Sequence, residues 1–205
     1  MKKSLVILLL LLVCTGCNNN SLPTPTPTAT PSSKPNLCDP IDPCENKANM
    51  TSYATMADIA EHVYIEITME QALAKIESNE SEIIYFGFDT CPWCLEVVPV
   101  LNEVAQEEGL SVYYVNTRSD LSISEEGMAY RAQIVEILQD LLQFNEDRQQ
   151  KWLYVPDVLF MKNGEIMANH IGTLDDHDAT QRQMTEEEEA QLKQIFQDYF
   201  VEYKK

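Results

Sequence analysis

The pattern of apolar and polar positions predicts a chain in which strands and helices alternate from residue 62 onward. Residues 83–88 form a short apolar run rich in β-branched and aromatic side chains, which is typical of a buried central strand. Residues 62–67 alternate between apolar and polar side chains instead, as in a strand with one covered face. Thr68 is followed three residues later by Gln71, a pairing that indicates a capped helix start.

The complete pattern reads β-α-β-α-β-α-β-β-α, which predicts an α/β fold with a central mixed sheet flanked by helices. Its longest helix is predicted over 124–150, where apolar residues recur at helical spacing. The predicted elements are strand 62–67, helix 68–79, strand 83–88, a helix from the first cysteine after it to 108, strand 110–116, helix 124–150, strand 157–162, strand 165–171 and a last helix capped by Thr185.

Two cysteines directly follow the central strand. Asp89 and Thr90 are turn and N-cap residue types and Pro92 suits the first turn of a helix, so Cys91 is predicted at a helix start. There the unpaired N–H groups and the positive end of the helix dipole favour a thiolate and lower a cysteine pKa from about 8.5. Cys94 follows three residues later on the same helical face and can close a disulfide with Cys91.

This spacing leaves three interpretations open, namely a redox-active pair, half of a zinc site, or a passive structural disulfide. A zinc site needs two more ligands, and the other candidates do not form a second tight pair of the zinc-finger type. Those candidates are Cys38, Cys44, His62, His170 and His177. Redox chemistry is therefore the favoured interpretation, with no metal and no cofactor expected.

The charge balance argues against one class of partner. The 205 residues include 33 acidic and 14 basic side chains, which gives a net charge of −19 at pH 7. Because the phosphates of nucleic acid repel such a surface, nucleic-acid binding is not expected. An acidic surface favours basic protein partners, or it simply keeps a protein soluble.

The first seventeen residues are predicted to be a targeting segment. Lys2 and Lys3 precede the apolar stretch 5–13, which has the length of a signal peptide. The sequence Cys-Thr-Gly-Cys that follows resembles the lipobox of bacterial lipoproteins, with Cys17 as the lipidation site. An ordinary cleaved signal and an uncleaved anchor remain alternatives. All three readings place the rest of the chain outside the cytoplasm, on the outer face of the cell membrane if Cys17 is lipidated.

Two further segments are predicted before the folded domain at 62–205. Residues 18–36 form a linker rich in proline and threonine, too poor in apolar side chains to form a core. Residues 37–61 form an extension that contains Cys38 and Cys44. These two cysteines are interpreted as a small local disulfide loop, as a second redox pair that exchanges with the first, or as free thiols.

From residue 62 to about residue 202 the chain resembles proteins of the thioredoxin fold. The sequence Cys91-Pro92-Trp93-Cys94 matches the active-site motif of that family, and Pro99 matches the proline that kinks its active-site helix. The pair Val155-Pro156 matches the position of the family's cis-proline, Lys162 to Glu165 its hairpin turn, and Gly172 a glycine past its last strand. Within the family, the chain looks most like exported thioredoxin-like lipoproteins of Gram-positive bacteria and bacteriocin transport accessory proteins.

The resemblance implies a role for each matching residue. Cys91 would attack a substrate disulfide and Cys94 would resolve the mixed disulfide. Pro156 would be cis and packed against the cysteines, the backbone of Val155 would pair with an extended substrate, and Trp93 would shape the rim of the site. A cis bond before proline costs little, and proline lacks an N–H beside the sulfurs.

Two departures from the family pattern matter. Thioredoxins carry a buried aspartate six residues before the first cysteine, and this chain has Tyr85 there. The group that deprotonates Cys94 is then missing or replaced, with Glu96 and Asp157 as candidates. The predicted helix over 124–150 is also longer than the family's segment, and it is inserted before the cis-proline strand.

The sequence therefore predicts a membrane-anchored, extracytoplasmic thiol–disulfide oxidoreductase that acts on the thiols and disulfides of proteins, together with an unidentified membrane or extracellular redox partner. The alternative is a non-catalytic accessory protein of the same fold that binds a peptide or a transporter and whose disulfide is structural. A third hypothesis, metal delivery through the Cys91–Cys94 pair, predicts stoichiometric metal in the reduced protein.

Overall fold

The structure, a computed structural model, describes residues 46–205. The predicted signal segment with Cys17, the linker, and the predicted Cys38–Cys44 pair lie outside the described residues. The described elements are a 3-10 helix Met50–Ser52, β1 Tyr64–Glu66, α1 Met69–Ile76, β2 Glu82–Gly87, α2 Pro92–Glu108, β3 Val112–Asn116, α3 Asp120–Ile123, α4 Glu125–Ile137, β4 Gln143–Asn145, β5 Gln150–Trp152, β6 Asp157–Lys162, β7 Glu165–Ile171 and α5 Glu186–Lys204.

Five strands form a mixed sheet in the order β1-β3-β2-β6-β7. Strands β1, β3 and β2 run parallel, because a helix lies in each connection that separates β1 from β2 and β2 from β3. Strands β6 and β7 join as an antiparallel hairpin on the other side of β2. The predicted α/β fold with a central mixed sheet flanked by helices is confirmed.

The sheet separates two apolar cores. Helix α2 packs against α5 on one face, and α1 packs against α4 on the other. Strand β2 contributes to both cores, with Tyr85 facing α2 and Phe86 facing the opposite side. Because successive side chains of a strand point to opposite faces, a strand covered on both faces needs apolar residues throughout. This is why β2 lacks the alternation seen in residues 62–67, which contain β1.

The helix ends follow the local sequence signals. Thr68 and Thr185 are N-caps, and each forms a complete capping box with the residue three positions later, as predicted. Helix α2 is capped at its C-terminal end by Gly109, which adopts the left-handed conformation with a φ of 67°. No helix within residues 46–205 combines the length and the apolar character required to cross a membrane.

The segment that precedes β1 is part of the core. Asn46 accepts a hydrogen bond from the amide of Glu66 at 3.0 Å, and the amide of Ala48 donates to the carbonyl of Tyr64 at 3.1 Å. The chain therefore runs antiparallel to β1 along the edge of the sheet. Further on, Tyr53 is completely buried beneath α2 and packs with the tyrosines of the sheet.

The long helix predicted over 124–150 is wrong in its second half. Helix α4 ends at Ile137, and the residues after it form a hairpin of β4 and β5. The hairpin turn is held by Asn145, whose side chain accepts the amide of Arg148 at 2.8 Å, and Gln149 has a φ of 52°. The apolar periodicity that suggested a helix continues to Leu142, whereas the helix itself stops at Ile137 and Asn145 closes the hairpin turn that follows.

Asp157 is a buried carboxyl at the start of β6. It pairs with Phe86, so its side chain lies on the face of the sheet covered by α1 and α4. Burial raises the pKa of Asp157 to about 7, and the amide of Asn169 offsets part of that effect. The folded protein therefore holds a proton on Asp157 across a pH range in which the unfolded chain has lost it.

We predict that Asp157→Asn gains stability relative to the unchanged protein as the pH rises. The unfolded carboxyl ionises near pH 4, whereas the folded one ionises near pH 7. The contribution of Asp157 to the stability of the protein therefore falls through this window, by up to about 4 kcal/mol, and is constant above it. The check is urea unfolding of both proteins between pH 4 and 8. A stability difference that does not change with pH would contradict the burial argument.

Candidate active site

The two cysteines lie where β2 meets α2. Cys91 is the N-cap of the helix and Pro92 occupies its first turn, as the sequence predicts. The Sγ atom of Cys91 accepts the backbone amide of Cys94 at 3.3 Å, the position that an oxygen occupies at an ordinary N-cap. The sulfur therefore receives one of the unpaired N–H groups at the positive end of the helix.

The segment before β6 lies beside the first cysteine. The peptide bond between Val155 and Pro156 is cis, and the thiol of Cys91 lies 3.6 Å from the carbonyl oxygen of Val155. Trp93 is half-buried and lines the same cleft as Cys91 and Val155. The predicted site residues Cys91, Cys94, Trp93 and Val155-Pro156 are thus brought together from two separate parts of the chain.

The two thiols have opposite acidities. A hydrogen bond from Cys94, with further help from the backbone amides of Cys94 and Trp93, lowers the pKa of Cys91. Burial, followed by the hydrogen bond and the negative charge of Cys91, raises the pKa of Cys94. Both side chains are free thiols in the structure, so the Cys91–Cys94 disulfide stays a prediction. The environment therefore favours the thiolate form of Cys91 and the thiol form of Cys94.

Exposure separates the two sulfurs in the same way. Cys91 keeps 4% of its surface accessible and opens into a cleft, whereas Cys94 is completely covered. Only Cys91 is therefore reachable by a substrate in this state. Cys94 can act once a bond has formed at Cys91, because the two residues are neighbours on the first turn of α2.

Tyr85 occupies the position where the resembled family has a buried aspartate, and its hydroxyl is hydrogen-bonded to the sulfur of Cys94. This bond lowers the pKa of Cys94 and opposes part of the effect of burial. Burial raises the pKa of Tyr85 itself, so the hydroxyl keeps its proton and remains a donor. A tyrosine thus supplies a hydrogen bond where an aspartate would supply a base.

Two more tyrosines extend the hydrogen bonds behind Cys94. The hydroxyl of Tyr53 lies 3.2 Å from that of Tyr85 and donates to that of Tyr114 at 3.1 Å. The rings of Tyr85 and Tyr114 stack with centroids 5.4 Å apart. Burial raises the pKa of all three, so they form a neutral polar network inside an apolar core.

Gly87 makes room for this arrangement. A Cβ atom at that position would lie 1.9 Å from the hydroxyl oxygen of Tyr85, which is on the same face of β2 two residues earlier. Such a distance is far below van der Waals contact, so any side chain there would displace the hydroxyl that meets Cys94. The sequence reasoning missed this role, although the signal was present as a tyrosine and a glycine at alternate positions of one strand.

Neither candidate for a helper of Cys94 reaches it. The carboxylate of Glu96 accepts the amide of Met184 at 2.8 Å and lies 3.0 Å from Nε2 of His177, so it fixes the loop before α5. Asp157 faces the opposite side of the sheet from the cysteine helix. Both expectations were wrong, because sequence distance could not show which face of the sheet each carboxyl occupies.

A positive charge that the sequence reasoning did not assign lies near Cys91. Arg118 follows β3, and its guanidinium stacks on the ring of Phe88 with the central carbon 3.7 Å from the ring centroid. Its charge contributes to lowering the pKa of Cys91. The side chain comes from the edge of the sheet that also carries the cysteines, at the carboxyl ends of neighbouring parallel strands.

A zinc site would need further ligands beside Cys91 and Cys94, and none are grouped with them among the residues that the structure describes. Within 46–205, no group of three or more histidine, cysteine, aspartate or glutamate side chains lies close enough to hold a metal ion. His62 precedes β1, where its Nδ1 atom accepts the amide of Tyr64 at 3.2 Å. His177 lies beside Glu96 in the loop before α5.

Thioredoxins are among the solved structures that are similar to this chain. No protein-family model matches the chain. Similar solved structures include oxidised thioredoxin O2 from Arabidopsis thaliana, at 15% identity over 58% of this chain and 88% of that one with a TM-score of 0.37. Another is thioredoxin from Trypanosoma brucei brucei, at 14% identity over 70% of this chain and 96% of that one with a TM-score of 0.40.

Because these identities and TM-scores are low, the fold is identified from the strand order of this chain and the positions of its cysteines and cis-proline. The strand order β1-β3-β2-β6-β7 places the cysteine helix after the central strand and the cis-proline before its antiparallel neighbour. That is the arrangement implied by the matching motif, the cis-proline pair and the hairpin turn in the sequence. The chain therefore has the thioredoxin fold.

Proposed function

We propose that this protein is an extracytoplasmic, membrane-anchored thiol–disulfide oxidoreductase that acts on the cysteines of other proteins. The opposite acidities of its two sulfurs carry the proposal, since the pKa of Cys91 is lowered and that of Cys94 is raised. A purely structural cysteine pair has no need of one acidic sulfur that opens into a cleft and a second sulfur that is completely covered. The cleft beside Cys91 provides the access that a substrate requires.

The first step is attack by the Cys91 thiolate on one sulfur of a substrate disulfide. The substrate S–S bond breaks, a new S–S bond joins Cys91 to the substrate, and the departing sulfur leaves as a thiolate that takes a proton. The thiol of Cys94 and the backbone amides of Cys94 and Trp93 favour the thiolate form of the attacking sulfur. The carbonyl of Val155 lies beside the reacting sulfur, next to the cis-proline.

In the second step the thiol of Cys94 loses its proton and attacks the sulfur of Cys91. The mixed disulfide breaks, the internal Cys91–Cys94 disulfide forms, and the substrate leaves as a second thiol, so two electrons pass from the protein to the substrate. The hydroxyl of Tyr85 stabilises the Cys94 thiolate in this step. The same steps in reverse oxidise a substrate dithiol.

The anchoring rests on sequence alone. The lipobox-like segment ends at Cys17, and the proline- and threonine-rich residues 18–36 would hold the domain away from the bilayer. Substrates would then be the thiols and disulfides of proteins at the outer face of the membrane. A second redox protein at that surface is needed to restore the starting state of the cysteine pair.

The proposal predicts that Cys91 and Cys94 titrate together. We expect the two residues to change as one reversible two-electron pair when the purified full chain is equilibrated through a series of thiol–disulfide buffers. Free thiols would be trapped by alkylation and located by mass spectrometry, which also reports Cys38 and Cys44 separately. If the pair stays in one state while the fold persists, the protein is a binding accessory and the enzymatic proposal fails.

The reduced protein should also show unequal alkylation of its two site cysteines. Since the folded environment lowers the pKa of Cys91, its reaction with iodoacetamide should reach half its maximal rate at a pH below the free-cysteine value of about 8.5. Cys94 should remain unmodified there, because its pKa is raised and its surface is covered. Equal rates at both residues would contradict the assigned roles.

Replacing Tyr85 should slow the second step selectively. Tyr85→Phe removes the hydrogen bond to the Cys94 thiolate, and bonds to charged groups contribute about 1.5–3 kcal/mol, so resolution should slow by about tenfold or more. Acid quenching and mass spectrometry should show more mixed disulfide at Cys91, and resolution should accelerate only at higher pH.

Tyr64→Phe is the matched control for that experiment. Its hydroxyl is buried in the same cluster, but it donates to the carbonyl of Val98 at 2.6 Å rather than to a cysteine. This variant loses a comparable hydrogen bond without touching the site. If the two variants accumulate the mixed disulfide equally, the effect of Tyr85 is one of general stability.

A further inference from the structure

Three of the four arginines in the chain line the cleft that opens at Cys91. These are Arg118, Arg131 and Arg148, and the cleft has a volume of about 450 Å³. They come from the loop after β3, from α4 and from the turn between β4 and β5. Acidic side chains outnumber basic ones more than twofold in the whole chain, so this clustering of positive charge opposes the overall charge.

The three guanidinium groups have no carboxylate partner within the described residues. No ion pair in residues 46–205 includes any of them. The Nε atom of Arg131 is buried with no hydrogen-bond partner there, and one terminal nitrogen has only a long contact of 3.4 Å with the carbonyl of Leu153. Burial and the charge of Arg148 lower the pKa of Arg131. An anion in the cleft would relieve both effects.

Aromatic rings hold these groups in place. The guanidinium carbon of Arg148 lies 4.1 Å from the centroid of the Trp152 ring, and that of Arg131 lies 5.0 Å from it. Arg118 stacks on Phe88 in the same manner. A stacked guanidinium keeps its N–H edge free, and that edge matches the two oxygens of a carboxylate.

We infer that the cleft selects acidic polypeptide segments, in which aspartate or glutamate residues flank the cysteine that reacts with Cys91. This inference rests on the proposed function and names its substrate class. Because the arginines come from three separate elements, several carboxylates spread along one segment can meet them together, which a single carboxylate cannot do. The acidic exterior of the protein alone would favour basic partners, so the cleft reverses the preference of the surface.

The exchange itself needs no additional reactant. The Cys91 thiolate attacks the disulfide of the acidic segment, that bond breaks, and the Cys91–Cys94 disulfide forms as the segment leaves in its dithiol form. The carboxylates stay ionised and paired with the arginines throughout. The carboxylates hold the segment with its sulfur near Cys91, so they should increase the rate of the first step.

The test compares two synthetic peptides of equal length, each with one internal disulfide. One carries glutamates around its cysteines and the other carries glutamines at the same positions. The reduced full chain should reduce the glutamate peptide roughly tenfold faster at low salt, because steering and pairing by the three arginines act together. The ratio of the two rates should approach one at high salt.

Arg148→Gln is the main variant, since the side chain is exposed and the pKa of Cys91 does not depend on it. It should reduce the preference for the glutamate peptide roughly two- to fivefold, as expected for one exposed ion pair. Arg118→Gln should also reduce it, and in addition slow both peptides through Cys91. The matched control is Arg182→Gln, the fourth arginine, which pairs with Glu188 outside the cleft and should leave the ratio unchanged.

Other results would overturn the inference alone or the inference together with the proposed function. Equal rates for the two peptides, or an equal effect of Arg148→Gln and Arg182→Gln, would overturn the inference and leave the proposed function standing. No reduction of either peptide would overturn both. Glutathione disulfide, a small anionic disulfide, is tested as a third substrate. If its reduction exceeds that of the glutamate peptide and depends equally on Arg148, the cleft serves a small thiol and the assignment to polypeptides fails.

Discussion

Cys94 has to lie within the apolar core and still be able to become an anion. Burial alone opposes that ionisation strongly, since removing a charge from water is costly. In this structure a neutral hydroxyl offsets part of that cost, because Tyr85 donates a hydrogen bond to the sulfur of Cys94. Burial raises the pKa of Tyr85, so its hydroxyl keeps its proton. An ionised carboxylate in the same place would add a second buried charge. A tyrosine network therefore keeps the core intact while giving one sulfur a partner for its charged form.

The segment between β3 and the cis-proline shapes the surroundings of the reactive sulfur of Cys91. Helix α4 and the hairpin of β4 and β5 form one wall of the cleft at Cys91, and the hairpin brings Trp152 to it. The rigid sheet thus fixes the reacting atoms, whereas the inserted segment fixes what surrounds them. This division is common where a conserved chemistry has to meet particular substrates.

The elements near the site were predictable because their signals are local. The cap at Thr68 and the apolar run of β2 specify their structures within a few residues. The hairpin after α4 was missed because an apolar periodicity continued past the last helical residue, and the signal for the hairpin is the turn chemistry at Asn145 farther along the chain. The roles of Tyr53 and Arg118 depend on contacts with Tyr85 and Phe88, which lie 30 or more positions away in the sequence, and no spacing rule contains them.

The place of Tyr53 has a consequence for how the domain is inherited. It stands before the first strand of the sheet, in residues that a comparison of strand and helix order would leave out of the fold. A gene fragment that began at β1 would still encode all five strands, yet the second hydroxyl behind Cys94 would be absent. Recombination at that boundary would thus pass on the strand order without one of the three hydroxyls of the buried tyrosine network. The sheet and the segment that precedes it therefore belong to one packed unit.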